Sequence, residues 1–166
     1  MKRSEIAERQ KLALAYFEKA HITLTEEEIS NMEVADFGLG MVADVGLQLV
    51  VYVNTDRVCA KEMVLLPGQC CPEHRHVPTN GQNGKEETFR CRRGEVYLYV
   101  SGEGKKEDIK AILPPTTVTV FHEICLREGE QYTMYPNTKH WFQAGKDGAI
   151  ISEFSTKSRD ESDVFE

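Results

Sequence analysis

Long hydrophobic runs are absent from this chain. Nowhere do about 18 consecutive apolar residues occur, so a membrane-spanning helix is excluded. Positive charge is also in short supply: 20 Lys and Arg against 27 Asp and Glu leave a net charge of −7. That balance argues against nucleic acid or an anionic membrane as partner and favours a small polar solute. The opening residues MKRSEIAERQ lack the apolar stretch of a secretory signal, so the expected location is the cytoplasm. Cysteine is sparse and unpaired in pattern. Five residues (59, 70, 71, 91 and 125) stand at irregular spacings with no CxxC, which speaks against a disulfide framework or a zinc ribbon. They read as free thiols packed as small hydrophobes, with adjacent Cys70 and Cys71 the only candidates for a soft-metal role. Repeats, low-complexity stretches and linkers are missing too, so one domain spanning 1–166 is expected.

What is present is an ordinary globular composition, 40% hydrophobic and 28% charged. Ile6, Leu12, Ala13, Tyr16 and Phe17 recur at helical spacing over residues 4–20. Thr25 followed by Glu28 forms a capping box, which predicts a short helix over about 26–33. After Gly38 the texture becomes short runs rich in Val, Thr, Tyr and Ile: GLQLVVYVNT, RVCAKEMVLLPG, ETFRCRR, EVYLYVSG, TVTVFHEICL, QYTMYP, KHWFQAG and AIISEFST. Turn residues separate most of them, the pattern of an all-β sandwich or barrel of about eight or more strands. The expected division is a helical cap over 1–36, a barrel over 37–155 and a loosely held polar tail over 156–166.

The chemistry starts at His74-Arg75-His76. On a strand, side chains two apart project from one face, so both imidazoles point the same way, as a chelating pair requires. Gly68 precedes His74 by six positions, where a tight turn into the strand belongs. Glu87 follows the segment VPTNGQNGKE, and Gly94 stands seven residues beyond it. ETFRCRRGEVYLYV reads as two strands joined at a turn containing Gly94, a hairpin able to carry Glu87 beside the histidines. Glu86 is a rival, and the spacing to Gly94 favours Glu87. Further on, Gly129-x10-His140, with the turn residues Pro136-Asn137, adds a third imidazole. Three imidazoles and one carboxylate make a mixed nitrogen and oxygen set for Mn, Fe, Co, Ni or Zn. In an octahedral ion it leaves two neighbouring positions open, which distinguishes a catalytic from a closed structural site.

Glu153, in the strand-like run AIISEFST, is the candidate general base, its apolar neighbours suiting a buried carboxylate; a surface glutamate is the bland alternative. His122 and His21 have no partners in this pattern and are set aside. Phe89, Trp141 and Phe142 flank the ligands as apolar walls or as core. Arg159, Asp160 and Asp163 in the tail either reach a partner subunit's site or are solvated.

These residues resemble the two motifs of the cupin superfamily, G(X)5HXH(X)3–4E(X)6G and G(X)5PXG(X)2H(X)3N. The first matches at Gly68, His74, His76, Glu87 and Gly94, with ten residues (77–86) standing between His76 and Glu87 as a lid or wall. The second matches at Gly129 and His140, with Pro136 displaced by one and its second Gly and final Asn missing. Within the superfamily the chain is similar to the D-lyxose ketol-isomerases, on the segments AKEMVLLPGQCCPEHRH (60–76), TKHWFQAG (138–145) and SEFST (152–156). The resemblance implies a cupin double-stranded β-helix, a jelly-roll-like barrel with a short N-terminal helical segment. It implies a homodimer that interconverts D-lyxose and D-xylulose, with D-mannose and D-fructose as a further pair, using Mn2+ in preference to Co2+, Fe2+, Ni2+ or Zn2+. It also implies that Lys61, in the matching AK-E position, lines the site; a solvated strand lysine is the alternative. The same ligand set would serve a cupin oxygenase or decarboxylase, or a non-enzymatic sugar-binding cupin.

Overall fold

The computed structural model describes residues 1–79, 81–159 and 162–165. Two helices lead the chain, α1 (Arg3–Lys19) and α2 (Glu26–Ser30). The strands follow as β1 (Glu33–Ala35), β2 (Leu47–Asn54), β3 (Cys59–Leu65), β4 (Cys70–His76), β5 (Glu87–Val100), β6 (His122–Arg127), β7 (Gln131–Met134), β8 (His140–Ser155) and β9 (Asp163–Phe165). Every pairing between named strands is antiparallel.

Two long strands organise the sheet. The C-terminal half of β8 pairs with β3 on one side and with the N-terminal half of β5 on the other. Its N-terminal half pairs with β4 and with the C-terminal half of β5. Both strands bend midway, so the sheet curls into a half-barrel whose inner face holds Leu49, Met63, Phe89, Leu98, Phe142 and Ile151. This is the expected jelly-roll-like cupin architecture.

Gly94 is where β5 turns. Its φ is +79°, and a Cβ there would lie 2.1 Å from the carbonyl oxygen of Gly148 on β8, so only glycine fits. The expected hairpin at Gly94 is therefore corrected. Residues 87–100 form one bent strand, because each half finds a different length of β8 to pair with. KHWFQAG and AIISEFST likewise fuse into β8, and the run 116–121 is not strand; β6 starts at His122.

α1 buries Ala13 and Phe17 against Val50, Val64 and Ile150 on the outer face of β2, β3 and β8. The Tyr16 hydroxyl donates to the Asp147 carbonyl at 2.9 Å, fastening α1 to the bend of β8. The capping box forms as expected: the Glu28 amide donates to Thr25 Oγ1 (3.1 Å) and the Thr25 amide to Glu28 Oε2 (2.7 Å). α2 nevertheless ends at Ser30, and β1 begins at Glu33, ahead of the expected cap boundary at 36. The tail differs as well, since β9 lies within it and pairs with β4. Among the described residues no helix is long and apolar enough to cross a membrane.

Candidate active site

Strand register brings the distant candidates together. His74 faces His140 across β4 and β8. On the adjoining part of the sheet, Lys61, Glu153 and Phe89 form one row across β3, β8 and β5, and Cys59, Ser155 and Glu87 form the next. Residues in register share a face, so Lys61, Glu153 and Glu87 all point inward toward the histidines.

His74, His76, Glu87 and His140 are all buried, and their potential ligand atoms lie within 4.8 Å of one another. The imidazole Nδ1 atoms are each engaged outside the cluster. Nδ1 of His74 donates to the Pro72 carbonyl and Nδ1 of His140 to the Thr138 carbonyl, both at 2.9 Å. Nδ1 of His76 donates to Asp163 Oδ1 at 2.5 Å. These contacts occupy Nδ1 and turn Nε2 of each ring inward, the usual support for a metal-ligating histidine once Nε2 is deprotonated. Nε2 of His140 is buried without a hydrogen bond, although Glu87 Oε1 lies 3.0 Å away; the same oxygen is 3.0 Å from Nε2 of His76. An orphaned nitrogen and a shared carboxylate oxygen, all converging, fit a divalent transition-metal ion.

The charge states of the metal-free cluster differ from ligand to ligand. Burial, reinforced by the other two imidazoles, pushes His74 well below its ordinary pKa, so it stays neutral. Burial acts the same way on His76, but the hydrogen bonds it donates to Asp163 and Glu87 outweigh it and raise that ring to about 9. Burial alone would raise Glu87; the Lys85 ammonium and its two histidine partners instead hold it well below the usual carboxylate range. Glu86 is exposed, which settles the choice between the two glutamates.

A cavity of about 370 Å³ opens beside the cluster, at the small end of the roughly 300–1,000 Å³ typical of small-molecule sites. Glu153 and Lys61 both line it, and both are buried. Glu153 Oε1 accepts from Lys85 Nζ (3.0 Å) and from the Ser155 hydroxyl (2.9 Å), while Lys61 Nζ donates to Ser158 Oγ (2.9 Å). Phe89 and Phe142 supply part of the apolar wall.

One site residue escaped the sequence reading. Lys85 bridges Glu87 Oε2 (2.8 Å) and Glu153, and the only signal for it was its place two residues before Glu87 at the end of the insertion. Lys85 is the residue of the insertion, among those described, that lines the cavity, and it brings a cation there. The insertion is held close by Gly84, where a Cβ would lie 1.8 Å from the His76 carbonyl oxygen. Asp163 reaches the site of its own chain rather than a partner's. Asp160 lies outside the described residues, and Arg159 donates instead to Gln82 Oε1 of the insertion.

Trp141 points away from the ligands, stacks on Tyr99 at 4.1 Å and donates its indole N–H to the Val120 carbonyl. Pro136-Asn137 does form a turn: Asn137 adopts φ +65° where the family motif has glycine, and its amide donates to the His76 carbonyl (3.0 Å). His122 is exposed and bonded to the Glu103 carbonyl. Burial raises the Cys71 thiol far above its usual range, and its sulfur lies 3.9 Å from the outward-facing Nδ1 of His74, so it is not part of the ligand set.

No family model matches the chain. Among curated proteins it is 59% identical over 99% of its length to a D-lyxose/D-mannose isomerase of Thermosediminibacter oceani, covering 92% of that protein. It is 56% identical over 99% of its length to a D-lyxose ketol-isomerase of Cohnella laeviribosi, again covering 92%. A D-lyxose ketol-isomerase of a Thermofilum species is 54% identical over 96% of this chain and 90% of its own. Among solved structures, L-ribose isomerase of Acinetobacter sp. DL28 in complex with L-ribose superposes with a TM-score of 0.73 at 17% identity, covering 95% of this chain and 82% of that one. An RmlC-like cupin from Shewanella frigidimarina gives 0.52 at 15% identity, covering 80% and 89%. These two likenesses establish the fold.

Proposed function

The chain belongs to the D-lyxose ketol-isomerase family and is an aldose–ketose isomerase; from that premise we propose that its substrates are D-lyxose and D-xylulose, with D-mannose and D-fructose as a second pair. One observation carries the residue assignment. Glu153 shares a cavity with His74, His76 and Glu87 of the cluster and shares the Lys85 ammonium with Glu87.

His74, His76, Glu87 and His140 would hold one divalent ion, Mn2+ in preference to Co2+, Fe2+, Ni2+ or Zn2+. Its contribution is Lewis-acid stabilisation of the negative charge that develops on sugar O1 and O2. Glu153 is the base. Starting from the open-chain aldose, its carboxylate removes the C2 proton, and the C–H electron pair becomes the C1–C2 double bond of a cis-enediol(ate). Glu153 then returns the proton to C1 while C2 becomes the carbonyl, with a net transfer of the hydroxyl proton from O2 to O1. Lys85 and Ser155 hold Oε1 of Glu153, which leaves Oε2 for the sugar. Lys61, in register with Glu153, donates a hydrogen bond to a sugar oxygen. The apolar walls limit water around the enediolate.

Glu153→Gln should nearly abolish turnover and leave metal content unchanged. Turnover in deuterated water should place solvent deuterium in the product. A variant that keeps most of its activity removes Glu153 from the role of base, and a product free of solvent label points to a direct hydride shift between C1 and C2.

A cytoplasmic homodimer completes the reading. Its support is an outward-facing sheet surface where Tyr52, Val53 and Phe154 are exposed, 42%, 38% and 51% respectively. Acidic Glu26, Glu27 and Glu28 of α2 lie toward one side of this surface and Arg90 and Arg92 of β5 toward the other, so a two-fold axis would pair unlike charges.

A further inference from the structure

Two of the three histidines orient themselves, and the third does not. Nδ1 of His74 and Nδ1 of His140 each donate to the carbonyl of the residue two positions earlier, within the local chain. His76 has a different partner. Its Nδ1 donates to the carboxylate of Asp163, 87 residues further along. Asp163 is delivered by β9, a strand of three residues that pairs with β4 in the register His74 to Phe165, Arg75 to Val164 and His76 to Asp163.

The same strand brings a second contact. The Phe165 ring lies 5.4 Å from the His74 ring, tilted by 31°, and 5.6 Å from Phe37. Asp163 and Phe165 both line the cavity beside the ligands. Yet β9 is the last strand on its side of the sheet order, and Phe165 remains 46% exposed. A short edge strand with a half-covered anchor gains little from its own burial, and such strands open at low free-energy cost.

We propose that β9 is a metal-coupled clamp, in which Asp163 is the positioning residue for His76 and occupation of the metal site and docking of β9 stabilise each other. The proposal rests on the metal-site reading above. Relative to the neutral ring, an ion on Nε2 of His76 strengthens the bond that Nδ1 makes to Asp163, and a docked Asp163 holds the ring where the ion needs it. Coupling of this kind is reciprocal: whatever affinity docking adds for the metal, the metal adds for docking.

The test uses the full chain with Mn2+ as probe. Mn2+ affinity is measured by competition with a chromophoric chelator for the wild type, Asp163→Ala, Asp163→Asn and Phe165→Ala. Hydrogen exchange at the Val164 and Phe165 amides is followed with Mn2+ and with EDTA. Asp163→Ala should weaken Mn2+ binding by about 10–100-fold. Asp163→Asn, which keeps the shape and an acceptor oxygen, should fall between it and the wild type, and it carries the test if the alanine variant does not fold. Phe165→Ala should speed C-terminal exchange and weaken the metal by a smaller factor. Mn2+ should slow wild-type exchange at whichever of the two amides faces β4. Asp163 variants that bind Mn2+ as tightly as the wild type, or exchange that ignores Mn2+, overturn the clamp and leave the metal site standing. A wild type that binds no metal overturns the site itself.

Discussion

At the scale of single residues, the site is a problem of arranging charge in a dry cavity. Glu87 and Glu153 would repel one another without the Lys85 ammonium between them. Lys85→Met keeps the length of the stem but removes that bridge, so Glu153 loses one of its two fixed partners. We expect kcat to fall on the order of 10–100-fold, since small displacements of a reacting group cost that much, with KM moving less. Steady-state kinetics on D-lyxose at constant Mn2+ occupancy checks this. Proton competition for His76 is a second consequence. In the metal-free protein its pKa is raised from 6.5 to about 9, so below that pH an incoming cation must displace a proton. Apparent Mn2+ affinity should therefore rise with pH up to about 9 and level off above, as read by chelator competition. The same shift stabilises the metal-free fold below pH 6.5, and that contribution is lost as pH climbs through about 9.

At the scale of elements, the bends of β5 and β8 do the positioning. Each long strand serves two parts of the sheet, so Glu87 at one end of β5 and His140 at one end of β8 meet the histidines of β4. Gly94→Ala places a Cβ against the Gly148 carbonyl in a backbone conformation that costs L-residues about 1–2 kcal/mol before any clash. Chemical denaturation should show a loss of at least that size, with Mn2+ affinity falling because Glu87 depends on the path of β5. The sequence motif located Gly94 and its spacing to Glu87. It did not distinguish a hairpin from a bend, because the glycine signature of a turn and that of a close strand crossing are the same.

At the scale of the whole molecule, α1 covers only part of the outer sheet face, and the rest carries Tyr52, Val53 and Phe154. Phe154 alternates with Glu153 along β8, so the surface that would meet a second copy and the proposed base are adjacent residues on opposite sides of one strand. Phe154→Glu should shift the protein from dimer to monomer in sedimentation velocity, with Mn2+ binding retained, because the ligands lie on the inner face.

Local pattern was enough to single out the four residues that the structure gathers into one buried cluster. HxH at strand spacing, a carboxylate at a fixed distance from Gly94, and a histidine behind a Pro136-Asn137 turn are short-range features, set by the alternation of side chains and by turn chemistry. The all-β class followed from the same alternation. Only the tertiary structure decided what stands beside those ligands. Lys85 comes from a loop without periodicity, Asp163 from a three-residue strand near the C-terminal end of the chain, and the row joining Lys61 to Glu153 from pairing between strands separated in sequence. Register between distant strands is set by how the two inner faces fill the core, and a one-residue slip would have turned every one of these side chains outward. No single stretch of chain contains that information.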